Sequence, residues 1–177
     1  NNDRPGMMLV SAASTYVHRF AVNLGRQMVI MTNNNSAYQS AFNLVEAGQN
    51  IHAIVDTRQT IDYELLKKSA DQGIEVLSAS GINAVRGRSN VHGVEVVSLA
   101  DSSQVSKLAC DVVAYSGGWN PLVHLHSHSG AKPVYNARLA CFVPGESVQS
   151  SFCAGAVRGV FDLKGFLHEG LAAGRRS

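Results

Sequence analysis

Two rhythms of apolar positions alternate along the chain. After Pro5 and Gly6, the residues Leu9, Ala12, Ala13, Tyr16, Val17 and Phe20 recur at helical spacing, and Leu24-Gly25 closes the segment. Met28 to Met31 is an unbroken apolar run of strand length. The stretch SAYQSAFNLVEAGQN returns to helical spacing, with Ala37, Ala41, Leu44 and Val45 on one face and Gly48 placed to end it. IHAIVD predicts a second strand, YELLKKSADQG a helix closed by Gly73, and IEVLS a third strand. Strands alternating with helices in this way predict a parallel sheet. INAVRGRSN and VHGVEVVSL then flank the turn-like Ser89-Asn90, which predicts an antiparallel hairpin or meander. CDVVAYS is again a buried-strand run, followed by the loop GGWNP. CFVPG and SSFCAGA predict short extended pieces. A last helix is expected from about Phe161 to Ala173, with Leu163, Phe166, Leu167 and Leu171 facing inward. The fold class is α/β: a Rossmann-like unit of parallel sheet plus antiparallel meander.

The segment from Arg26 to Gln59 has the rhythm of a dinucleotide-binding βαβ unit, but its turn reads Thr-Asn-Asn-Asn-Ser-Ala. In such a unit one glycine makes the turn, a second lets the pyrophosphate approach the backbone, and a third lets helix and strand pack closely. An acidic residue at the end of the second strand takes the ribose hydroxyls. Those positions fall here on Thr32, Asn34, Ala37 and Asp56. Alanine substitutes acceptably at the third place. A left-handed conformation is open to Asn34, but its side chain then stands in the pyrophosphate's space. Thr32 is β-branched and suits a tight turn poorly. Two readings follow. In one, Asn33, Asn34, Asn35 and Ser36 bind a polar ligand through side-chain amides and a hydroxyl. In the other, Asn35 or Ser36 caps the helix and the nucleotide site is vestigial. Asp56 is placed either to hold a ribose or to pair with Arg58.

Composition narrows the field. The 177 residues are 45% hydrophobic, enough for a real core, and only 16% charged, against about 25% in typical chains. That deficit fits either surface meant to be covered or a compact protein rich in Ala, Ser and Asn. Net charge is +2, and the basic cluster is Arg175-Arg176 at the C-terminus, so no electrostatic footprint for nucleic acid is expected. Apolar runs are strand-sized, so no membrane span is expected either. NNDRPG is neither a signal nor a transit peptide, and the missing initiator Met fits an excised piece. Cys110, Cys141 and Cys153 have no CxxC spacing, which predicts inert thiols in a reducing, cytoplasmic compartment. His124, His126 and His128 share one face only if they lie on a strand, and no acidic residue or cysteine adjoins them. No metal is assigned. Gly117 and Gly118 allow a sharp turn before Trp119, which is read as a packing anchor. No Gly-x-Ser-x-Gly elbow and no carboxylate pair stand out, so no catalytic residue is assigned.

The stretches NNDRPGMMLVSAASTYVHRF, VIMTNNNSAYQSAFNL, VVAYSGGWNPLVHLHSHSGAKPVYN and CAGAVRGVFDL, in this order, resemble the α subunits of heterotetrameric sarcosine oxidases. The α-type subunits of opine oxidases and of hydrogen cyanide synthase are more distant relatives. The resemblance covers nearly the whole chain. It implies a flavoprotein architecture in which one dinucleotide-binding domain is inserted into another. Residues 24–108 then correspond to the inserted NAD(P)-binding-type domain. Residues 1–23 and 109–177 correspond to the second half of the outer FAD/NAD-type domain. The outer domain's Gly-rich first half and a folate-binding C-terminal domain are implied to lie outside these residues. The resemblance further implies an NAD held mainly by that Gly-rich loop, FAD and FMN in the wider complex, and partner subunits of a hetero-oligomeric oxidase. The implied reaction oxidises sarcosine to glycine with O2, forming hydrogen peroxide and passing the one-carbon unit to tetrahydrofolate. One departure stands out. Related flavoproteins read Ala-Gly-Asp where this chain has Ala154, Gly155 and Ala156, so the carboxylate for a cofactor hydroxyl is absent. Gly155 and Gly159 still allow a backbone close to a dinucleotide, or serve only a strand-to-helix turn. A non-catalytic binding module, or a subunit of a related opine- or amine-oxidising flavoenzyme, is the alternative reading.

Overall fold

The computed structural model describes residues 3–139 and 141–176. The first two positions of NNDRPG therefore lie outside the described residues. The chain forms two compact units, Asn1–Gly118 and Trp119–Ser177.

In the first unit the elements are β1 (Met7–Leu9), α1 (Val10–Phe20), β2 (Met28–Thr32), α2 (Ser36–Glu46), β3 (Ile51–Asp56), α3 (Tyr63–Asp71), β4 (Glu75–Leu77), β5 (Ser80–Arg86), β6 (Gly93–Ser98), β7 (Val105–Ala109) and β8 (Val112–Ser116). A five-stranded sheet runs in the order β1-β8-β2-β3-β4, with each pairing parallel. β5, β6 and β7 form a separate antiparallel meander.

Alternation along the strands splits the core in two, because successive side chains point to opposite faces. Ile30, Ile54 and Ala114 pack with Val10, Ala13 and Val17 of α1 and with Ala37, Tyr38, Ala41, Phe42 and Leu44 of α2. Val29, Val55 and Val113 pack on the other face with Val85, Val94 and Val96 of the meander. The sheet is thus buried on both sides, which is why its strands read as continuous apolar runs. Gly48 (φ +85°) and Gly73 (φ +71°) stop α2 and α3 in the left-handed region, as their positions predicted.

The N-terminal segment differs from expectation. Met7–Leu9 is a strand parallel to β8, and the helix starts only at Val10. It ends at Phe20, with Ala21 in the left-handed region (φ 52°), short of Leu24-Gly25. Its buried face is Val10, Ala13 and Val17, while Tyr16 and Phe20 point outward. The spacing puts Tyr16 and Phe20 on one apolar face with Ala13 and Val17, but the sheet covers only the stripe of Val10, Ala13 and Val17. The sheet also draws strands from both sides of the boundaries expected at 23/24 and 108/109, since β1 and β8 pair with each other and β8 with β2.

The second unit holds α4 (His124–His128), β9 (Pro133–Asn136), β10 (Cys141–Pro144), a 3-10 turn at Gly155–Arg158 and α5 (Leu163–Gly174). β9 and β10 form an antiparallel pair. SSFCAGA carries no strand. α5 is capped by Asp162, whose carboxylate accepts the Gly165 N–H at 2.8 Å. It buries none of its residues: Leu163, Leu167 and Leu171 are 72%, 67% and 56% exposed. The amphipathic pattern forms a helix, but of the residues expected to face inward, Leu163, Leu167 and Leu171 stay exposed while Phe166 packs toward Gly155. Trp119, expected as a packing anchor, is 58% exposed.

Candidate functional site

β2 leads through α2 to β3 on one side, while β8 joins β2 on the other. Strand order therefore reverses at the carboxyl ends of β2 and β8, where open α/β sheets form their ligand crevice. Thr32, Asn33, Asn34, Asn35 and Ser36 lie at this point, with Ser116 ending β8 and Gly117 and Gly118 following it.

The crevice is spanned by the Asn34 side chain. Its Oδ1 accepts from the Ser36 backbone N–H at 3.2 Å and from the Ser36 hydroxyl at 2.6 Å. Its Nδ2 donates to the Ser116 hydroxyl at 3.1 Å and the Ser116 carbonyl at 3.3 Å. It also donates to Asn33 Oδ1 at 3.0 Å. Asn34 therefore supplies the helix-terminal acceptor expected of Asn35 or Ser36; Asn35, at the N-cap position, makes no side-chain cap bond. Among the described non-glycine residues, positive φ occurs at Ala21 and Ala79, so Asn34 does not take the left-handed conformation considered for it. Thr32, expected to fit poorly, is the buried last residue of β2 and organises the turn. Its hydroxyl oxygen accepts from the Asn34 N–H and from Asn34 Nδ2, each at 3.2 Å. Gly118 has φ +91°, and a Cβ there would lie 3.5 Å from Asn33 Oδ1. Conformation, more than space, is why glycine stands there.

Asp56 ends β3 with its side chain wholly buried. Its carboxylate accepts the Arg58 backbone N–H at 2.9 Å, the Arg58 Nη2 N–H at 2.7 Å and the Tyr38 hydroxyl at 2.9 Å. Arg58 Nη1 donates onward to Asn35 Oδ1 at 2.7 Å, and Asn35 Nδ2 donates to Asp62 at 2.7 Å. Asp56 thus pairs with Arg58, and the pair belongs to a network rather than to the open surface. Burial first, and then the Asp56 bond and charge, push the Tyr38 hydroxyl far above the usual tyrosine range. The Asp56 hydrogen bond likewise raises the Arg58 guanidinium above its ordinary value. Tyr38 and Ser116 were not singled out in the sequence. Tyr38 reads there as one more apolar helix position, and Ser116 lies 82 positions from Asn34.

Gly155 and Ala156 lie in the second unit. Gly155 opens the 3-10 turn in the left-handed region (φ +72°). Its N–H already donates to Glu169 Oε2 at 2.7 Å. Ala156 is exposed. The three histidines lie on the helix α4, so His124 and His128 stack one turn apart while His126 is buried. No group of three His, Cys, Asp or Glu residues able to hold a metal ion occurs among the described residues.

The layered fold is that of the FAD/NAD(P)-binding oxidoreductases. A thioredoxin reductase of Lactococcus lactis aligns over 97% of this chain and 56% of its own, with a TM-score of 0.70 at 14% identity. A 6-hydroxypseudooxynicotine amine oxidase of Pseudomonas geniculata N1 aligns over 98% of this chain and 25% of its own, with a TM-score of 0.61 at 16% identity. Such likeness establishes the fold alone. No protein-family model matches the chain. Sequence narrows the class: the chain is a relative of sarcosine oxidase α subunits. It is 33% identical to that of Corynebacterium sp. strain P-1 over 179 residues, and 34% identical to that of Corynebacterium sp. strain U-96 over 177 residues. These alignments take in 98% and 97% of this chain but only 18% of each relative's length.

Proposed function

We propose that this chain is a scaffold segment of the α subunit of a sarcosine-oxidase-type flavoenzyme complex, and that its asparagine turn is not a working dinucleotide site. The carrying observation is the Asn34 carboxamide. It occupies the crevice between the α2 terminus and the end of β8, accepting the helix N–H that a phosphate oxygen would otherwise take. A pyrophosphate does not fit there without expelling that side chain. Asp56 is equally committed, to Arg58 and Tyr38, and offers no free acceptor to a ribose. At Gly155 the Glu169 carboxylate holds the N–H, and Ala156 brings no carboxylate of its own.

On this reading Thr32, Asn33, Asn34, Asn35, Ser36, Gly117 and Gly118 form a self-filled turn that fixes α2 to β8. NAD is held elsewhere in the subunit, and FAD and FMN belong to the wider complex. The complex would oxidise sarcosine to glycine with O2, releasing hydrogen peroxide and passing the one-carbon unit to tetrahydrofolate. The α-subunit relatives support this assignment.

Calorimetric titration of the purified chain with NAD, and with FAD as control, tests the turn. No binding heat at micromolar ligand is expected. Micromolar NAD binding that is lost in Asp56→Ala would make the turn a working site. For the complex, purification through a subunit containing this stretch should yield sarcosine oxidation. Oxidation of another amine in its place would move the assignment to an opine-oxidising relative.

A further inference from the structure

The second unit contains a cavity of about 430 Å³ that the proposed scaffold role does not use. That volume lies within the range of small-molecule sites, about 300–1,000 Å³. Its wall combines His126, Cys153, Arg158, His168, Glu169 and Arg176, with an apolar part from Phe152, Ala172 and Ala173. His126 is only 6% exposed, and its Nε2 is buried with no hydrogen-bond partner. A buried imidazole nitrogen left unmatched costs free energy unless a ligand or water meets it. The other ring nitrogen is engaged: Cys153 Sγ lies 3.9 Å from Nδ1. If the thiol donates to Nδ1, the orphan Nε2 carries a proton and presents a donor. Cys153 is half-buried, in contrast to the fully buried Cys110 and Cys141.

The charges around this donor favour an anion. Glu169 is committed, accepting from Gly155 N–H at 2.7 Å and lying 3.6 Å from Arg158. Arg158 and Arg176 outweigh it. Two guanidiniums and an apolar wall suit a planar carboxylate with a small apolar body.

We propose that Cys153 and His126 form a reactive thiol–imidazole pair in the wall of a cavity that admits small carboxylates, drawn in by Arg158 and Arg176. The chemistry is displacement at carbon. On a small carboxylate that carries a halide beside the carboxyl, His126 takes the thiol proton, the sulfur pair forms the new C–S bond, and the halide departs with the electrons of the broken carbon–halogen bond.

Iodoacetate and iodoacetamide read this directly on the full chain, because they differ in charge but not in reacting carbon. Peptide mass spectrometry gives the rate at each cysteine, and N-acetylcysteine is the free reference. Cys153 is expected to label ahead of Cys110 and Cys141, and faster with iodoacetamide than the free thiol at pH 7. Its iodoacetate-to-iodoacetamide ratio is expected to exceed the free thiol's by about tenfold, the low end of electrostatic focusing. Arg158→Gln with Arg176→Gln should return that ratio to the free value while leaving the iodoacetamide rate in place. His126→Asn should slow both reagents while Cys110 and Cys141 stay protected. In the unmutated chain, added benzoate should protect Cys153 from iodoacetamide. A free-thiol ratio at Cys153, or no protection by benzoate, overturns the anion site. An iodoacetamide rate at Cys153 no faster than the free thiol's overturns the pair.

Discussion

At the scale of single residues, the buried Asp56–Arg58–Tyr38 group carries the sharpest expectations. Asp56 is wholly buried, while Arg58 keeps part of its guanidinium toward solvent. Asp56→Ala should therefore cost about 3 kcal/mol, near the low end for removing one partner of a buried pair, as read by urea unfolding. Tyr38→Phe should cost about 1 kcal/mol, the worth of one hydrogen bond. The second change also predicts a pH signature. The Tyr38 hydroxyl holds its proton more tightly folded than unfolded, so its contribution is complete below the unfolded tyrosine pKa of about 10 and is lost as pH rises beyond it. The stability gap between wild type and Tyr38→Phe should shrink from pH 8 to pH 11. A gap that widened would mean that the folded chain favours the ionised hydroxyl, the opposite of what burial and the Asp56 bond both do. The Cys110 thiol is pushed up to about 11, by burial and then by the Asp111 charge. It should resist a disulfide reagent at pH 8 until the chain unfolds.

At the scale of elements, the turn from Gly25 into β2 is held by Asp111. Its carboxylate accepts the Arg26 N–H at 2.9 Å and the Gln27 N–H at 2.8 Å. Burial alone raises this carboxyl, but the N–H groups of Arg26 and Gln27 outweigh it and bring the group below the usual aspartate range. A lowered folded pKa contributes stability above the unfolded value of about 4, and that contribution is lost on acidification through the folded pKa. Asp111→Ala should lower the urea midpoint at pH 7 and lose that difference toward pH 2. α5 makes a different prediction. With Leu163, Leu167 and Leu171 all more than half exposed, the chain should bind a hydrophobic dye and associate. Leu167→Glu with Leu171→Glu should abolish both without changing the far-UV spectrum. A monodisperse wild type without dye binding contradicts the exposed face.

At the scale of the whole molecule, both clusters of buried apolar residues lie within the first unit, from Val10 to Ala114 and from Val29 to Val113. A chain ending at Gly118 should keep a cooperative urea transition. Residues 119–177 alone should not, since Ala131 and Cys141 are among the few apolar side chains buried there. Loss of cooperativity in the shorter chain would mean that the first unit depends on the second. Among the described residues, no helix is long and apolar enough to cross a membrane.

How much of this was legible in the sequence follows from the range of each interaction. The βαβ order, the strands Met28–Thr32 and Ile51–Asp56, and the stops at Gly48 and Gly73 rest on neighbours a few positions apart. Local periodicity and backbone freedom encode those directly. The sequence by itself also located the turn where a dinucleotide would sit, and found its glycines replaced. It did not decide what the replacements do. Asn34 spans the crevice because Ser116, 82 positions away, ends the neighbouring strand. Met7–Leu9 became a strand because β8 offered a parallel edge. Which face of α1 turned inward, and the meeting of Cys153 with His126, were likewise settled by the fold. Pairing between distant segments depends on strand order, and only the tertiary structure supplies that.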